Sequence, residues 1–307
     1  MRKIFRIASL ALLLGVGVAC TNEDVPNSPQ GTYPILFRCA DETRAGSNIE
    51  SLKNDGFKVY AYFEGNNQKS NFEKAVKYYE PEEGPFYWNF EEGVEYWIPG
   101  ATYWFKAVYP KAIGSVEYAS QSSPITLKIE DFDISSQTDL LVAEAGPLTV
   151  DPDLGAPGSG SVVSLQFKHL LACVVVKIKA EVNVTINNLS LKYVQVKGTY
   201  AEGSWKYSSQ GNIEKVGLDK TLSSSSNAYH DVTDGGFLVF PSSVDGVKLY
   251  IDTSDKTYEL PLKAPDSWNM GTKYTYTLTI KQNDIHFDEP TVEEWDEENA
   301  VGSVIIK

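Results

Sequence analysis

Arginine is almost absent from this sequence. Only four of its 307 residues are arginine, all of them lie within the first 44 positions, and 22 of the 23 lysines lie beyond that point. An arginine-specific protease could therefore cut the chain near its start and nowhere else.

Positive charge is scarce as well, since the formal net charge is −14 at neutral pH. Removal of residues 1–19 would delete Arg2, Lys3 and Arg6 and lower the net charge to −17. Such an acidic chain repels phosphate backbones and anionic lipid head groups. The composition therefore argues against nucleic acid as a partner and against electrostatic docking on a membrane.

The residues that usually carry catalysis are few and scattered. The three histidines, His169, His230 and His286, are far apart and match no zinc-ligand motif, although a zinc site needs convergent ligands. The sequence has no G-x-S-x-G, P-loop or H-E-x-x-H motif. We therefore expect no metal, no cofactor and no catalytic residues, and the chain is not predicted to be an enzyme.

No hydrophobic run is long enough for a transmembrane helix. The apolar stretch Ile7–Ala19 has 13 residues, whereas a spanning helix needs about 20, and with its basic start it fits a signal peptide over residues 1–19. Ala19-Cys20 resembles the lipobox of bacterial lipoproteins, with Gly17 where the pattern has Leu. The resemblance implies cleavage between Ala19 and Cys20 and a diacylglycerol on the Cys20 thiol.

The residues after Cys20 extend this resemblance. Thr21–Asp24 is similar to the surface-export signal of Bacteroidetes lipoproteins, so the implied location is the outer membrane, facing the cell surface. An ordinary secretory signal with an incidental cysteine is the alternative. Of the three cysteines, Cys39 and Cys173 remain. They could form a disulfide in an oxidising compartment, but each sits in an apolar run, which favours buried free thiols.

Alternation of apolar and polar residues predicts strands through most of the chain. The clearest case is Thr272–Ile280, in which Tyr, Tyr, Leu and Ile alternate with Thr or Lys. Further strands are predicted at Tyr33–Cys39, Phe57–Phe63, Tyr103–Tyr109, Leu170–Ile178, Val247–Ile251 and Thr257–Leu262. Only Asn71–Tyr79 shows helical spacing, so one short helix is predicted in an all-β chain.

One stretch is rich in glycine, proline and serine and predicts a linker, residues 151–161. The predicted organisation is a signal peptide at 1–19, a lipid-anchored tether at 20–32, and β-sandwich domains at 33–150 and 162–307.

Several segments resemble the fimbrillin family of Bacteroidetes, the subunits of type V pili. They are Tyr96–Pro110, Gln137–Ala143, Val163–Ala172 and Ser267–Leu278, followed by Trp295. The resemblance covers most of the chain. It implies an all-β fold of two transthyretin-like β-sandwich domains in tandem and a role in a fimbria or in adhesion.

The family resemblance also implies an explanation for the arginines, which all lie near the start of the chain. It implies that a surface protease cuts the lipidated precursor between Arg44 and Ala45, so that residues 20–44 leave with the first strand. Loss of a core strand exposes apolar surface and unpaired backbone groups, which a strand from another fimbrial subunit would fill by β-augmentation. Arg44 lies in a polar stretch, Asp41–Ser47, of the kind where proteolytic nicking concentrates.

The candidate donor strand is Val301–Lys307, whose apolar residues are Val301, Val304, Ile305 and Ile306. The alternative is that this segment pairs within its own domain. The rival function is a permanently lipid-anchored surface protein that binds glycans, which a row of exposed aromatic side chains would favour.

Overall fold

The structure is a computed structural model that describes residues 33–39, 47–65, 68–80, 87–118, 124–153, 162–282 and 284–295. It is almost entirely β, which confirms the predicted fold class. None of the helices in this part of the chain is long and apolar enough to cross a membrane.

The described residues before position 151 form eight strands, one α-helix and one 3-10 helix. In chain order they are β1 (Leu36–Cys39), α1 (Ser47–Asp55), β2 (Phe57–Gly65), β3 (Gln68–Tyr79), β4 (Tyr87–Phe90), β5 (Thr102–Tyr109), β6 (Ser115–Glu117), β7 (Thr126–Asp133), the 3-10 helix Ile134–Ser136 and β8 (Leu141–Thr149).

All elements in the described residues after position 161 are strands. They are β9 (Val162–Leu165), β10 (Lys168–His169), β11 (Ala172–Ala180), β12 (Val184–Ala201), β13 (Ser204–Lys215), β14 (Lys220–Leu222), β15 (His230–Asp231), β16 (Phe237–Val239), β17 (Lys248–Thr253), β18 (Thr257–Pro261), β19 (Thr272–Ile280), β20 (Ile285–Phe287) and β21 (Thr291–Glu294).

The strands form three sheets. Sheet 1 has the order β10-β8-β5-β2-β3-β4-β1-β9. Sheet 2 has the order β15-β11-β19-β20, with β16 beside β11 and β21 beside β19. Sheet 3 has the order β18-β17-β12-β7-β6, with β13 and β14 beside β12.

The buried hydrophobic side chains form two cores. Core 1 is built from sheet 1 and is rich in aromatic side chains, among them Phe37, Phe57, Trp88 and Phe105. Core 2 is built mainly from sheets 2 and 3. The alternation that predicted β19 also shows which face of the strand is turned inward. The residues of that face are all buried in core 2, and they are Tyr274, Tyr276, Leu278 and Ile280.

Strands from both sides of residues 151–161 share sheets. β9 and β10, which follow this stretch, pair with β1 and β8 in sheet 1. β7, which precedes it, pairs with β12 in sheet 3. The division of strands between sheets therefore does not follow the predicted boundaries 33–150 and 162–307. The division into two domains stays a prediction.

The predicted helix over Asn71–Tyr79 is wrong. This segment belongs to β3, which pairs with β2 over nine residue pairs from Phe57↔Val76 to Gly65↔Gln68. The apolar residues that produced a helical spacing are divided between the two faces of the strand, and Val76 is fully buried. The one described α-helix, α1, was missed.

Cys39 and Cys173 are both buried and are not joined in a disulfide, as the apolar runs around them predicted. Burial raises the pKa of the Cys173 thiol to about 12. No disulfide therefore ties β1 to β11.

Gly56 joins α1 to β2 under tight constraints. Its φ is +72°, its amide donates to the Leu52 carbonyl at 2.8 Å, and an added Cβ would lie 2.3 Å from the carbonyl oxygen of Val76. Gly217 has a similar φ of +64°, but no atom lies within 4 Å of the position of its Cβ.

We predict that Gly56→Ala lowers the free energy of unfolding by at least about 3 kcal/mol, because left-handed strain and a backbone clash add together. Gly217→Ala introduces only the left-handed strain and should lower the free energy of unfolding by about 1 kcal/mol. Urea unfolding of both variants measures the difference, and equal losses would contradict the packing described for Gly56.

Candidate functional site

β1 is an interior strand of sheet 1 although it has only four residues. On one side it runs antiparallel to β4, with Phe37 opposite Trp88. On the other side it runs parallel to β9, from Leu36↔Val162 to Cys39↔Leu165. We call the space that β1 fills between β4 and β9 the β1 slot. Removal of β1 would break sheet 1 at this point and leave β9 without its partner.

The residues just before β1 continue its antiparallel pairing, with residues 95–97 that follow β4. The Ile35 amide donates to the Glu95 carbonyl at 2.8 Å, and the Trp97 amide donates to the Tyr33 carbonyl at 3.0 Å. The paired segment therefore begins near Tyr33, as the sequence predicted.

The side chains of this segment alternate between core 1 and solvent. Ile35, Phe37 and Cys39 are 0%, 1% and 3% exposed. Leu36 is half-buried and Arg38 is exposed. The segment thus supplies a row of three side chains to core 1, and its loss would leave the wall of the core open.

Phe37 occupies the centre of an aromatic cluster. Its ring makes edge-on contacts with Phe90, Phe105 and Phe57, at centroid distances of 5.3, 5.9 and 6.4 Å. We call this space the Phe37 pocket. Edge-to-face aromatic pairs contribute about 0.5–1.5 kcal/mol each beyond their buried area. An aromatic ring in this pocket is therefore stabilised by more than its burial alone.

Helix α1 has its own contacts with the body. Leu52 is 2% exposed and lies in core 1. The Tyr109 hydroxyl donates to Asp55 Oδ2 at 3.0 Å, and burial together with this carboxylate raises the pKa of Tyr109. The chain that begins at α1 therefore has two contacts that do not involve β1 directly, one in core 1 and one with Tyr109.

Most of the sequence-predicted site residues lie outside the described residues. These are Ala19, Cys20, Arg44, Ala45, Val301, Val304, Ile305 and Ile306. Arg38, the other arginine beyond the leader, lies in β1, and its strand is paired on both sides. A protease needs an extended, unpaired segment, so the geometry disfavours Arg38 as a cleavage site.

Trp295 is the last described residue before the candidate donor segment. Its ring stacks on His169 with centroids 3.7 Å apart and an interplanar angle of 9°. The buried His169 Nδ1 lies 2.9 Å from Asp139 Oδ2. The last described residue therefore lies against β10.

Sequence reasoning missed the role of β9. Val163 and Leu165 are fully buried in core 1, and the alternation in Val162–Leu165 was a usable signal for a strand. The sequence could not show that its partner is β1, because the two strands are more than 120 residues apart.

The exposed tyrosines do not form a row in the described part of the chain. They are spread over separate strands and loops and are Tyr33, Tyr87, Tyr118, Tyr193, Tyr207 and Tyr229. This distribution gives no support to the glycan-binding alternative.

We predict that Phe37→Ala lowers the free energy of unfolding of the uncut protein by about 3–5 kcal/mol, because it empties the aromatic pocket. The neighbouring Leu36→Ala removes a half-buried side chain and should lower the free energy of unfolding by about 1 kcal/mol. Denaturant unfolding compares the two. Similar losses would mean that Phe37 does not have the central place described above.

Comparison with solved structures shows where this fold occurs. A fimbrial protein from Bacteroides vulgatus superimposes with a TM-score of 0.61 at 17% identity, over 85% of this chain and 99% of that chain. A candidate cell-adhesion protein from Bacteroides uniformis has a TM-score of 0.53 at 17% identity, over 87% of this chain and 100% of that one. At this identity the likeness shows the fold alone.

A search among curated proteins finds no match to this sequence. The model of the fimbrillin-like family matches residues 43–295, which span most of the chain. This chain therefore belongs to the fimbrillin-like family, and it is a fimbrial protein of the cell surface, not an enzyme.

Proposed function

We propose that this chain is a structural or adhesive subunit of a type V pilus, exported as a lipoprotein precursor and assembled by strand exchange after proteolysis. The observation that carries the proposal is the position of β1. A four-residue strand in the interior of sheet 1 supplies Ile35, Phe37 and Cys39 to core 1. The only arginine between β1 and α1 is Arg44.

A cut at Arg44 would separate β1 from a body that retains its own anchors. Departure of β1 leaves the backbone groups of β4 and β9 unpaired on the sides that face the slot and exposes apolar side chains. Another strand can relieve both costs at once by adding main-chain hydrogen bonds and filling the pockets. We propose Val301–Lys307 of a neighbouring subunit as that strand.

The lipid on Cys20 belongs to the delivery stage of this scheme. Cys20 precedes the proposed cut, so the same cleavage would remove the lipid and β1 together. The partners are then an arginine-specific surface protease, the outer membrane through the Cys20 lipid, and other fimbrial subunits.

We predict that an arginine-specific protease converts a precursor carrying Cys20→Ser into a single product, Ala45–Lys307, which then polymerises. Arg44→Lys should block the cut, whereas the control Arg38→Lys should be cut like the parent protein. Mass spectrometry and size-exclusion chromatography follow the two steps. Cleavage in β1, or a trimmed monomer that never assembles, would overturn the mechanism.

Metabolic labelling with a fatty acid tests the lipid. We predict that the precursor carries the label, that Cys20→Ser abolishes it, and that the cell-surface form beginning at Ala45 is unlabelled. A label retained on the surface form would favour a permanently anchored protein.

A further inference from the structure

A polar cavity lies on the outer face of sheet 3, where β18, β17, β12 and β13 run side by side. Leu249 and Ile251 of β17 are fully buried in core 2, so the residues that alternate with them point away from that core. The cavity has a volume of about 260 Å³. We call it the sheet 3 cavity, and its lining includes Asn188, Ser190, Lys192, Glu214, Tyr250 and Asp252.

One wall of the cavity is fixed by hydrogen bonds around Asp252. Asn188 Nδ2 donates to Asp252 Oδ2 at 2.8 Å, and Thr257 Oγ1 donates to Asp252 Oδ1 at 2.9 Å. Asn188 is itself held, because its Oδ1 accepts from the Gly217 amide at 3.0 Å. Each carboxylate oxygen has a second acceptor site. Asp252 is therefore a positioned acceptor that can still bind a donor from a ligand.

An aromatic ring and a lysine form the next part of the lining. The Tyr250 hydroxyl is hydrogen-bonded to Glu259, which raises the pKa of Tyr250 and holds its ring in place. The Lys192 ammonium lies 3.8 Å from the centroid of that ring. Among the described residues it has no carboxylate partner, although Glu214 and Asp252 line the same cavity. Because a lysine stem is flexible, this ammonium can leave the ring and donate to a ligand.

The opposite side of the cavity adds further polar groups and an apolar edge. Ser190 lies opposite Glu214 in the pairing of β12 with β13. Neither side chain has a hydrogen-bond partner in the part of the chain that the structure describes. Val216, which also lines the cavity, is 70% exposed. The cavity thus combines acceptors, donors and apolar surface around one ring.

We infer that the sheet 3 cavity binds one neutral sugar ring of a carbohydrate chain. Sugar hydroxyls both donate and accept hydrogen bonds, so they match the carboxylates of Asp252 and Glu214 together with the ammonium of Lys192. The apolar face of the sugar would pack on the Tyr250 ring once Lys192 has moved aside. The inference goes beyond the proposed strand exchange and does not depend on it, since no lining residue belongs to sheet 1.

The charges of the cavity select against other classes of ligand. Two carboxylates and one ammonium give it a net negative charge, which repels phosphates and acidic sugars. The ammonium disfavours polyamines for the same reason. No group of three or more acidic, histidine or cysteine side chains among the described residues could hold a metal ion. The volume is below the roughly 300 Å³ of pockets for drug-sized ligands, so a single ring enters.

Saturation-transfer NMR on the uncut chain tests the class of ligand. The probes are glucose, galactose, mannose, fucose and N-acetylglucosamine, with N-acetylneuraminic acid and spermidine as charged comparisons. We expect at least one neutral sugar to receive saturation from the protein and to bind more tightly than either charged probe. Absence of binding by all the neutral sugars, or preference for a charged probe, would overturn the inference.

Two variants test the position of the site. Asp252→Asn keeps an oxygen that accepts from Asn188 but removes the charge, and Lys192→Met keeps the apolar stem but removes the donor. We expect each to weaken binding of the neutral sugar at least about tenfold, because each removes a hydrogen bond to a charged group. Unchanged binding in both variants would show that the sugar does not occupy this cavity.

Matched controls carry the same chemical changes outside the cavity. Asp255→Asn lies in the loop between β17 and β18, and Lys197→Met lies on β12 at an exposed position. Both should bind the sugar like the parent chain, and equal weakening in the controls would contradict the site. Urea unfolding identifies any variant that has lost its fold. If the uncut chain binds sugar but the cut chain never polymerises, this inference stands and the proposed function fails.

Discussion

The pairing of β1 with both β4 and β9 is the interaction on which sheet 1 depends. β1 contributes few residues, but it lies between the body of the sheet and β9, so its backbone completes the hydrogen bonding of both neighbours. Its inward side chains also close core 1, with Phe37 against three other phenylalanine rings. A short strand in this place is necessary for the fold yet small enough to be exchanged for another.

The anchoring of α1 makes such an exchange physically reasonable. Leu52 and the hydrogen bond between Tyr109 and Asp55 hold the start of the remaining chain against core 1. Loss of β1 would open the slot, release β9 and uncover the wall of core 1, while these two contacts of α1 would remain. A localised opening with unpaired backbone and apolar walls offers a docking position for one extended strand, and it gives little reason for the rest of the protein to unfold.

Local sequence patterns predicted the strands well wherever one face of the strand is buried and the other is exposed to solvent. The strand predicted at Thr272–Ile280 has the bounds of β19. The strands predicted at Val247–Ile251 and Thr257–Leu262 correspond to β17 and β18, which pair with each other. The prediction for β3 failed because its apolar residues also satisfy a helical spacing. Only pairing with the neighbouring strands β2 and β4 decides between helix and strand. The sharing of sheets across residues 151–161 could not be predicted, since it depends on pairings such as Lys197↔Asp133 between distant parts of the chain.

Amide hydrogen exchange in β4 and β9 tests the central claim most directly, because these strands flank the slot. Measured at Trp88 and Leu165, exchange should be slow in the uncut precursor, fast in the trimmed monomer and slow again in the polymer. Equal protection in all three forms would show that the slot never opens, and it would contradict assembly through the place of β1.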